Sequence, residues 1–163
     1  MSQPLTLETA DATVAVGAAL AASILKAAPA SLCIYLEGEL GAGKTTFARG
    51  FIHGFGHTGR VPSPTYTLVE PYDCGDYRIY HLDLYRLNDG AELEYLGISE
   101  MTGPGKLLLV EWPGRAPEAL PAADVGIVLK VNPPGRTLEL SALSPAGESV
   151  LAGLPVESAA PGA

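Results

Sequence analysis

The chain has few cysteines and few basic residues for its length. It holds 163 residues, of which two are cysteine, and ten Lys and Arg stand against eighteen Asp and Glu, for a formal net charge of −8. Two cysteines, Cys33 and Cys74, do not supply the disulfide framework of a small secreted domain, and they fit a reduced cytosolic setting. The acidic balance leaves no evident basic face for a nucleic acid, so we do not expect the chain to bind nucleic acid alone.

Long hydrophobic runs are also missing. The most apolar stretch, residues 12–30, is short and rich in alanine for a membrane span. It also lacks the basic segment that opens a signal peptide, because Glu8 and Asp11 precede it. The pattern instead predicts an early helix with Thr9 or Asp11 as its N-cap and Pro29 at its end. We therefore expect a cytoplasmic protein with no membrane segment.

Length and composition predict one folded domain. A chain of this size buries a substantial core, and 47% of its residues are hydrophobic, a globular value. Residues 1–143 carry the strand and helix patterns and are predicted to form that domain. Residues 144–163 are mostly Ala, Gly, Pro and Ser, and we expect them to form a flexible tail.

The most informative motif is Gly-x-x-x-x-Gly-Lys-Thr at residues 38–45, the phosphate-binding P-loop. An apolar run of strand length precedes it, and a helical pattern follows. Its glycines let main-chain N–H groups face a phosphate at a helix N-terminus. Lys44 is expected to contact the β- and γ-phosphates, and the Thr45 hydroxyl to bind Mg²⁺. The predicted nucleotide contacts are Glu39, Leu40, Gly41, Ala42, Gly43, Lys44, Thr45 and Thr46.

Further segments are rich in apolar, aromatic and β-branched residues, which is typical of strands. The run at residues 106–111 is almost wholly apolar and ends in an acid, as expected of a strand buried on both faces. A turn at 73–76 joins two of the strands, and a short helix is predicted near 92–96. The predicted strands are 66–70, 77–84, 106–111, 125–131 and 137–140.

A P-loop site needs an acidic residue at the end of a neighbouring strand to order Mg²⁺. Glu111 and Asp83 both fit, and we favour Glu111 because a carboxylate at the end of a buried strand requires a partner. The simpler alternative pairs Glu111 with water or Arg115. Asp83 is then the candidate for orienting the attacking water, or for a second contact to the metal, against the alternative of a surface pair with Arg86 or Lys106.

Three smaller signals remain. Ser63 and Thr65 lie in the loop that follows the P-loop helix, where a hydroxyl can sense γ-phosphate, and the alternative is a turn leading into a strand. Trp112, the only tryptophan, is either a core residue or an anchor for a partner protein. The three histidines lack metal-ligand spacing, so we interpret them as structural or surface residues.

Together the motifs resemble the bacterial TsaE family, the ATPase of tRNA threonylcarbamoyladenosine biosynthesis. Four motifs occur in order, and the resemblance spans about residues 5–142. The P-loop alone is generic, whereas its combination with the other three is specific. Tyr66 stands where Phe is common in the family, and Gly114-Arg115 where an acid often follows. The motifs are the P-loop at 38–47, Ser-Pro-Thr at 63–65, His-x-Asp-x-Tyr-Arg at 81–86 and Glu-Trp-Pro at 111–113.

The resemblance implies a single P-loop NTPase-like α/β domain, with a central mixed β-sheet flanked by helices. It implies slow, Mg²⁺-dependent ATP hydrolysis that supports turnover of a TsaB–TsaD complex, and this complex, not the chain, would hold the tRNA. No membrane and no metabolite substrate other than ATP are expected. Thr45 and Glu111 would contact Mg²⁺, Asp83 would serve hydrolysis, and Thr13 and Arg136 would lie near the nucleotide.

Three alternatives keep the P-loop but change the function. A small-molecule kinase needs an acceptor pocket and usually an Arg-rich lid, and arginine is sparse here. A GTP switch would carry Asn-Lys-x-Asp, which the chain lacks. A nucleotide-gated assembly module with negligible catalysis would use the same residues as an ATPase, so the sequence leaves it open.

Overall fold

A computed structural model describes residues 4–154. In that part of the chain, seven strands form one sheet. The strands are β1 Leu5–Leu7, β2 Leu32–Glu37, β3 Val69–Cys74, β4 Tyr77–Asp83, β5 Lys106–Glu111, β6 Val125–Asn132 and β7 Gly135–Ala142. Their order across the sheet is β1-β7-β6-β2-β5-β4-β3. The central strands β2, β4, β5 and β6 run parallel, whereas β1, β3 and β7 pair antiparallel with their neighbours. The predicted mixed sheet is confirmed.

The helices cover both faces of this sheet. They are α1 Ala10–Ala27, α2 Lys44–Gly54, α3 Ala91–Leu96 and α4 Pro145–Ala152. One core cluster lies between the sheet and α1, α2 and α4, and a second lies on the opposite face with α3. Two 3₁₀ turns, Ile98–Met101 and Pro113–Arg115, flank β5.

Helix α1 begins where the sequence predicts. The hydroxyl oxygen of Thr9 accepts a hydrogen bond from the N–H of Ala12, which caps the helix. Contrary to the expectation from the sequence, length and composition alone would allow α1 to cross a membrane. In the fold it packs against α2 instead, and the two backbones approach so closely that a Cβ on Gly50 would lie 2.3 Å from the carbonyl oxygen of Val14. The helix is thus a core element of this domain.

Parallel pairing at the centre of the sheet brings the carboxyl ends of β2, β4 and β5 next to one another. Strand β2 lies between β5 and β6, and β5 lies between β2 and β4. Glu111 is therefore level with Leu36 on one side and with Asp83 on the other. Because the P-loop follows β2 directly, both acids lie at the same sheet edge as that loop.

The predicted strand at 66–70 is wrong for its first three residues. Residues 64–67 form a turn, and β3 begins at Val69. The N–H of Leu68 donates to the carbonyl of Pro64 at 2.8 Å, and Leu68 has a left-handed backbone with φ of 67°. A closed turn of this kind cannot pair as a strand, even though the side chains have high β-propensity.

The prediction of a flexible tail at 144–163 is wrong for residues 145–152, which form α4. Ser144 caps this helix by accepting the N–H of Gly147, and Val150 is fully buried. Small residues permit the close fit, since a Cβ on Gly147 would lie 1.9 Å from the carbonyl oxygen of Asp124. The composition alone predicts a flexible segment, because it does not show that Gly147 and Val150 pack against the rest of the domain. Residues 155–163 of the predicted tail lie outside the described residues.

We expect Val150→Ala to lower the free energy of unfolding by about 1–2 kcal/mol, because it removes buried apolar volume between α4 and α1. Urea unfolding followed by circular dichroism measures the change. The matched control is Ser149→Ala, at an exposed position of the same helix. If both variants unfold at the wild-type urea concentration, α4 does not contribute to the folded core.

Candidate functional site

A cleft of about 460 Å³ lies at the carboxyl ends of β2, β4 and β5. The P-loop forms one wall, and the chain segments that follow β4 and β5 form the other. Most of the residues singled out in the sequence meet here. The lining residues are Leu40, Gly41, Gly43, Lys44, Thr45, Thr46, Ser63, Thr65, Asp83, Tyr85, Arg86, Glu111, Trp112 and Arg136.

The P-loop has the backbone of an anion cradle. Gly41 and Gly43 adopt φ angles of 80° and 106°, which other residues rarely tolerate. Gly43 is the N-cap of α2, and no described side chain caps this helix end. The N–H groups of the first turn, beginning at Lys44, are therefore available to a phosphate, and the helix dipole favours its negative charge.

Lys44 is 5% exposed and is held by the loop itself. Its Nζ donates to the carbonyl oxygens of Gly38, at 2.5 Å, and Glu39, at 2.9 Å, and lies 4.5 Å from the ring centroid of Trp112. Burial lowers the pKa of Lys44, while the carboxylates of Glu111 and Asp83 act in the opposite direction. A compact positive charge is thus fixed at the floor of the cleft.

The two predicted acids are buried beside this lysine. Glu111 is 2% exposed and Asp83 is 6% exposed. Oδ1 of Asp83 accepts the N–H of Tyr85 at 3.0 Å, and Oδ2 accepts the hydroxyl of Thr65 at 3.4 Å. Burial is the main cause of a raised pKa at Asp83; the Tyr85 bond opposes it, and the Glu111 carboxylate adds to it. Both oxygens of Asp83 therefore have fixed directions in the cleft.

His81 is the site residue whose contact the sequence analysis missed. It is fully buried, and its Nε2 lies 2.7 Å from Oε2 of Glu111. The simpler alternative for Glu111 was a pair with Arg115, whose guanidinium instead lies over the ring of Tyr85 at 5.3 Å. The sequence held one signal for this contact. His81 is two residues from Asp83, so the two side chains lie on the same face of β4.

The loop before β3 brings both predicted switch hydroxyls to the cleft. Ser63 Oγ and Thr65 Oγ1 lie 2.7 Å apart, and Thr65 also contacts Asp83. The same loop makes the turn that leads into β3. The segment that forms this turn therefore also lines the cleft. Sensing of γ-phosphate by Thr65 stays a prediction.

Arg136 links the P-loop to strand β7 by hydrogen bonds. It lies in β7, where it pairs with Leu7 of β1, and it lines the cleft. Its Nε donates to the carbonyl of Ala42 at 2.6 Å, and its Nη2 donates to that of Gly41 at 3.0 Å. A guanidinium with two donors on the loop is well placed to fix the loop's shape.

Three predicted nucleotide contacts lie outside the cleft lining. Thr13 is 1% exposed within α1, with its hydroxyl 3.5 Å from the carbonyl of Thr9. Ala42 is fully buried, and Glu39 lines a neighbouring groove of about 680 Å³. Trp112 borders both the cleft and this groove and packs against Tyr85 with ring centroids 5.0 Å apart. Nucleotide contact by these residues and docking by Trp112 stay predictions.

The donor set fits Mg²⁺ bound together with phosphates. Thr45, Asp83 and Glu111 place oxygen atoms in one cleft, and Mg²⁺ prefers one or two such side chains with phosphate oxygens and water. Within residues 4–154, no three His, Cys, Asp or Glu residues form a group able to hold a metal by themselves. The described residues thus suit a metal that arrives with a nucleotide better than an all-protein cage.

Asp83→Asn should stabilise the fold at neutral pH. Burial raises the pKa of Asp83 in the folded protein above the ordinary value of 3.8 that it has in the unfolded chain. The folded protein therefore loses stability as the pH rises from 3.8 through the raised pKa and Asp83 ionises. Asparagine cannot ionise and keeps an oxygen for the Tyr85 N–H. We expect a higher urea midpoint than wild type at neutral pH, and equal midpoints below about pH 3.8. A lower midpoint for Asp83→Asn than for wild type at neutral pH would show that the ionised carboxylate does not destabilise the fold.

Comparison with known proteins identifies the family of the chain. The TsaE family, described as threonylcarbamoyl adenosine biosynthesis protein TsaE, matches residues 7–138. The chain is 43% identical over 121 residues to the Haemophilus influenzae protein named tRNA threonylcarbamoyladenosine biosynthesis protein TsaE, covering 74% of this chain and 77% of that protein. It is 46% identical over 95 residues to the Bacillus subtilis protein of the same name, covering 58% and 59%. The crystal structure of Bacillus subtilis YdiB superposes with a TM-score of 0.77 at 29% identity over 94% of each chain. The chain belongs to the TsaE family.

Proposed function

We propose that this protein binds and hydrolyses ATP with Mg²⁺ and acts in the formation of threonylcarbamoyladenosine in tRNA, together with a TsaB–TsaD complex. One observation carries the proposal: the loop ending in Lys44 and Thr45 opens into the same cleft as two buried acids, Asp83 and Glu111. Family membership supplies the pathway, because the relatives carry that biosynthetic name.

Binding follows from the loop and its helix. The N–H groups at the start of α2 take the phosphates, and Lys44 turns from the carbonyls of Gly38 and Glu39 toward the β- and γ-phosphate oxygens. Thr45 and Glu111 would hold Mg²⁺, which would neutralise charge that develops on the phosphate oxygens. Arg136 keeps the loop in shape through Gly41 and Ala42.

Hydrolysis requires a group that orients water for in-line attack on the γ-phosphorus. Asp83 serves this role, since its two oxygens are already directed by Tyr85 and Thr65 and it shares the cleft with Lys44. Lys44 stabilises the charge of the transition state. A contact from Thr65 to the γ-phosphate would break its bond to Asp83, which links nucleotide state to the loop before β3.

The partner complex supplies what this chain lacks. With a net charge of −8, the chain offers little attraction to tRNA phosphates, so the tRNA is held by the complex. Slow hydrolysis by the free protein follows if docking completes the site, which Arg86 and Tyr85 help to line. We include a cytoplasmic location in the proposal, because the relatives act in tRNA modification.

Lys44→Ala should lower ATP affinity at least about thirtyfold, because truncating one partner of a buried charged contact costs about 2–5 kcal/mol. Isothermal calorimetry with ATP and Mg²⁺ measures the loss. The control is Lys26→Ala, which removes an exposed lysine from the last turn of α1. Wild-type affinity in Lys44→Ala would refute the binding site.

Asp83→Asn should keep ATP binding but lower the hydrolysis rate at least about a hundredfold, the usual contribution of a positioned acid or base. Phosphate release is measured with the purified protein, with TsaB–TsaD, tRNA and threonylcarbamoyl-adenylate present. We expect multiple-turnover modification to fall in parallel. If modification continues at the wild-type rate without hydrolysis, the protein acts as a nucleotide-gated assembly module and the proposed role of turnover is wrong.

A further inference from the structure

One buried histidine makes a contact that the proposed hydrolysis does not use. His81 of β4 is fully buried, and its Nε2 lies 2.7 Å from Oε2 of Glu111. Its other ring nitrogen, Nδ1, is buried and has no hydrogen-bond partner among residues 4–154. A buried polar atom without a partner lowers stability, so a histidine kept at this position calls for an explanation beyond packing.

The bond to Glu111 has a definite direction. A carboxylate oxygen accepts, so Nε2 carries the hydrogen and donates it. This contact occupies Oε2 and leaves Oε1 without a hydrogen-bond partner among the described residues, while Glu111 lines the cleft. His81 thus holds one oxygen of the carboxylate and leaves the other available to a ligand.

The sheet fixes both ends of this contact. In the parallel pairing of β4 with β5, Asp83 is level with Glu111, and His81 is level with Leu109. His81 and Asp83 are two residues apart and lie on one face of β4. Since strand positions do not shift independently, the imidazole gives the Glu111 carboxylate a fixed orientation that solvent could not supply.

We propose that His81 is a positioning residue that orients Glu111 so that its free oxygen meets the Mg²⁺ accompanying a bound nucleotide. The inference rests on the proposed function. Carboxylates that bind metals are commonly held by a second hydrogen bond, and loss of the holding group typically lowers metal affinity about tenfold to a hundredfold. His81 would therefore determine the metal dependence of nucleotide binding without touching the nucleotide.

The experiment compares variants that differ in one donor. His81→Gln can bring an amide N–H close to the place of Nε2, whereas His81→Asn is too short and His81→Leu has no donor. The matched control is Tyr72→Phe, which removes another buried polar atom that lacks a partner in the described part of the chain. Calorimetry gives the affinity for ATP with Mg²⁺ and with EDTA, and circular dichroism gives the unfolding midpoint.

The gain is the ratio of the ATP affinity measured with Mg²⁺ to the ATP affinity measured with EDTA. We expect this gain to be at least about tenfold smaller in His81→Asn and His81→Leu than in wild type, while the affinity in EDTA stays at the wild-type value. His81→Gln and Tyr72→Phe should keep the gain within about threefold. In a Glu111→Gln background, His81→Asn should have no further effect on the gain, because its action passes through Glu111.

The contrary outcomes are distinct. An unchanged gain in His81→Asn, or an equal loss in His81→Gln and His81→Asn, overturns the positioning role alone. If His81→Leu fails to fold, the comparison of the Gln and Asn variants decides. A wild-type protein that binds no ATP overturns the proposed function and this inference with it.

Discussion

Parallel pairing of β5 with β2 and β4 is the constraint on which the site depends. It brings the P-loop, which follows β2, level with acids at the ends of β4 and β5. Residues 44, 83 and 111 are far apart in the chain, yet their side chains line one cleft. A shift of one residue in either pairing would turn the acids to the other face of the sheet.

The same arrangement concentrates charged side chains at positions that are almost fully buried. Lys44, Asp83 and Glu111 are each at most 6% exposed, and none of them contributes to an apolar core. Buried charges need partners, which here are main-chain carbonyls for Lys44, an N–H and a hydroxyl for Asp83, and an imidazole for Glu111. Oε1 of Glu111 and the N–H groups at the start of α2 have no side-chain partner among the described residues, which fits the proposed binding of a nucleotide together with Mg²⁺.

Much of this organisation could be predicted from the sequence. The P-loop glycines, the apolar run ending in Glu111 and the two candidate N-caps, Thr9 and Asp11, are local signals, and the structure has the predicted strand and helix at each, with Thr9 as the cap. The bond between His81 and Glu111 was not accessible, because it depends on the register between two strands that are distant in sequence. Helix α4 was missed although Ser144 and Pro145 form a local start signal, because its small residues do not reveal the close fit against α1 and the Asp124 backbone.

The most direct test of the account is a crystal structure of the protein with Mg²⁺ and a non-hydrolysable ATP analogue. We expect phosphates against the N–H groups at the start of α2, Lys44 turned toward them, and the metal bound by Thr45 and Glu111. An analogue bound elsewhere, with Lys44 still on the carbonyls of Gly38 and Glu39, would overturn the proposed binding site.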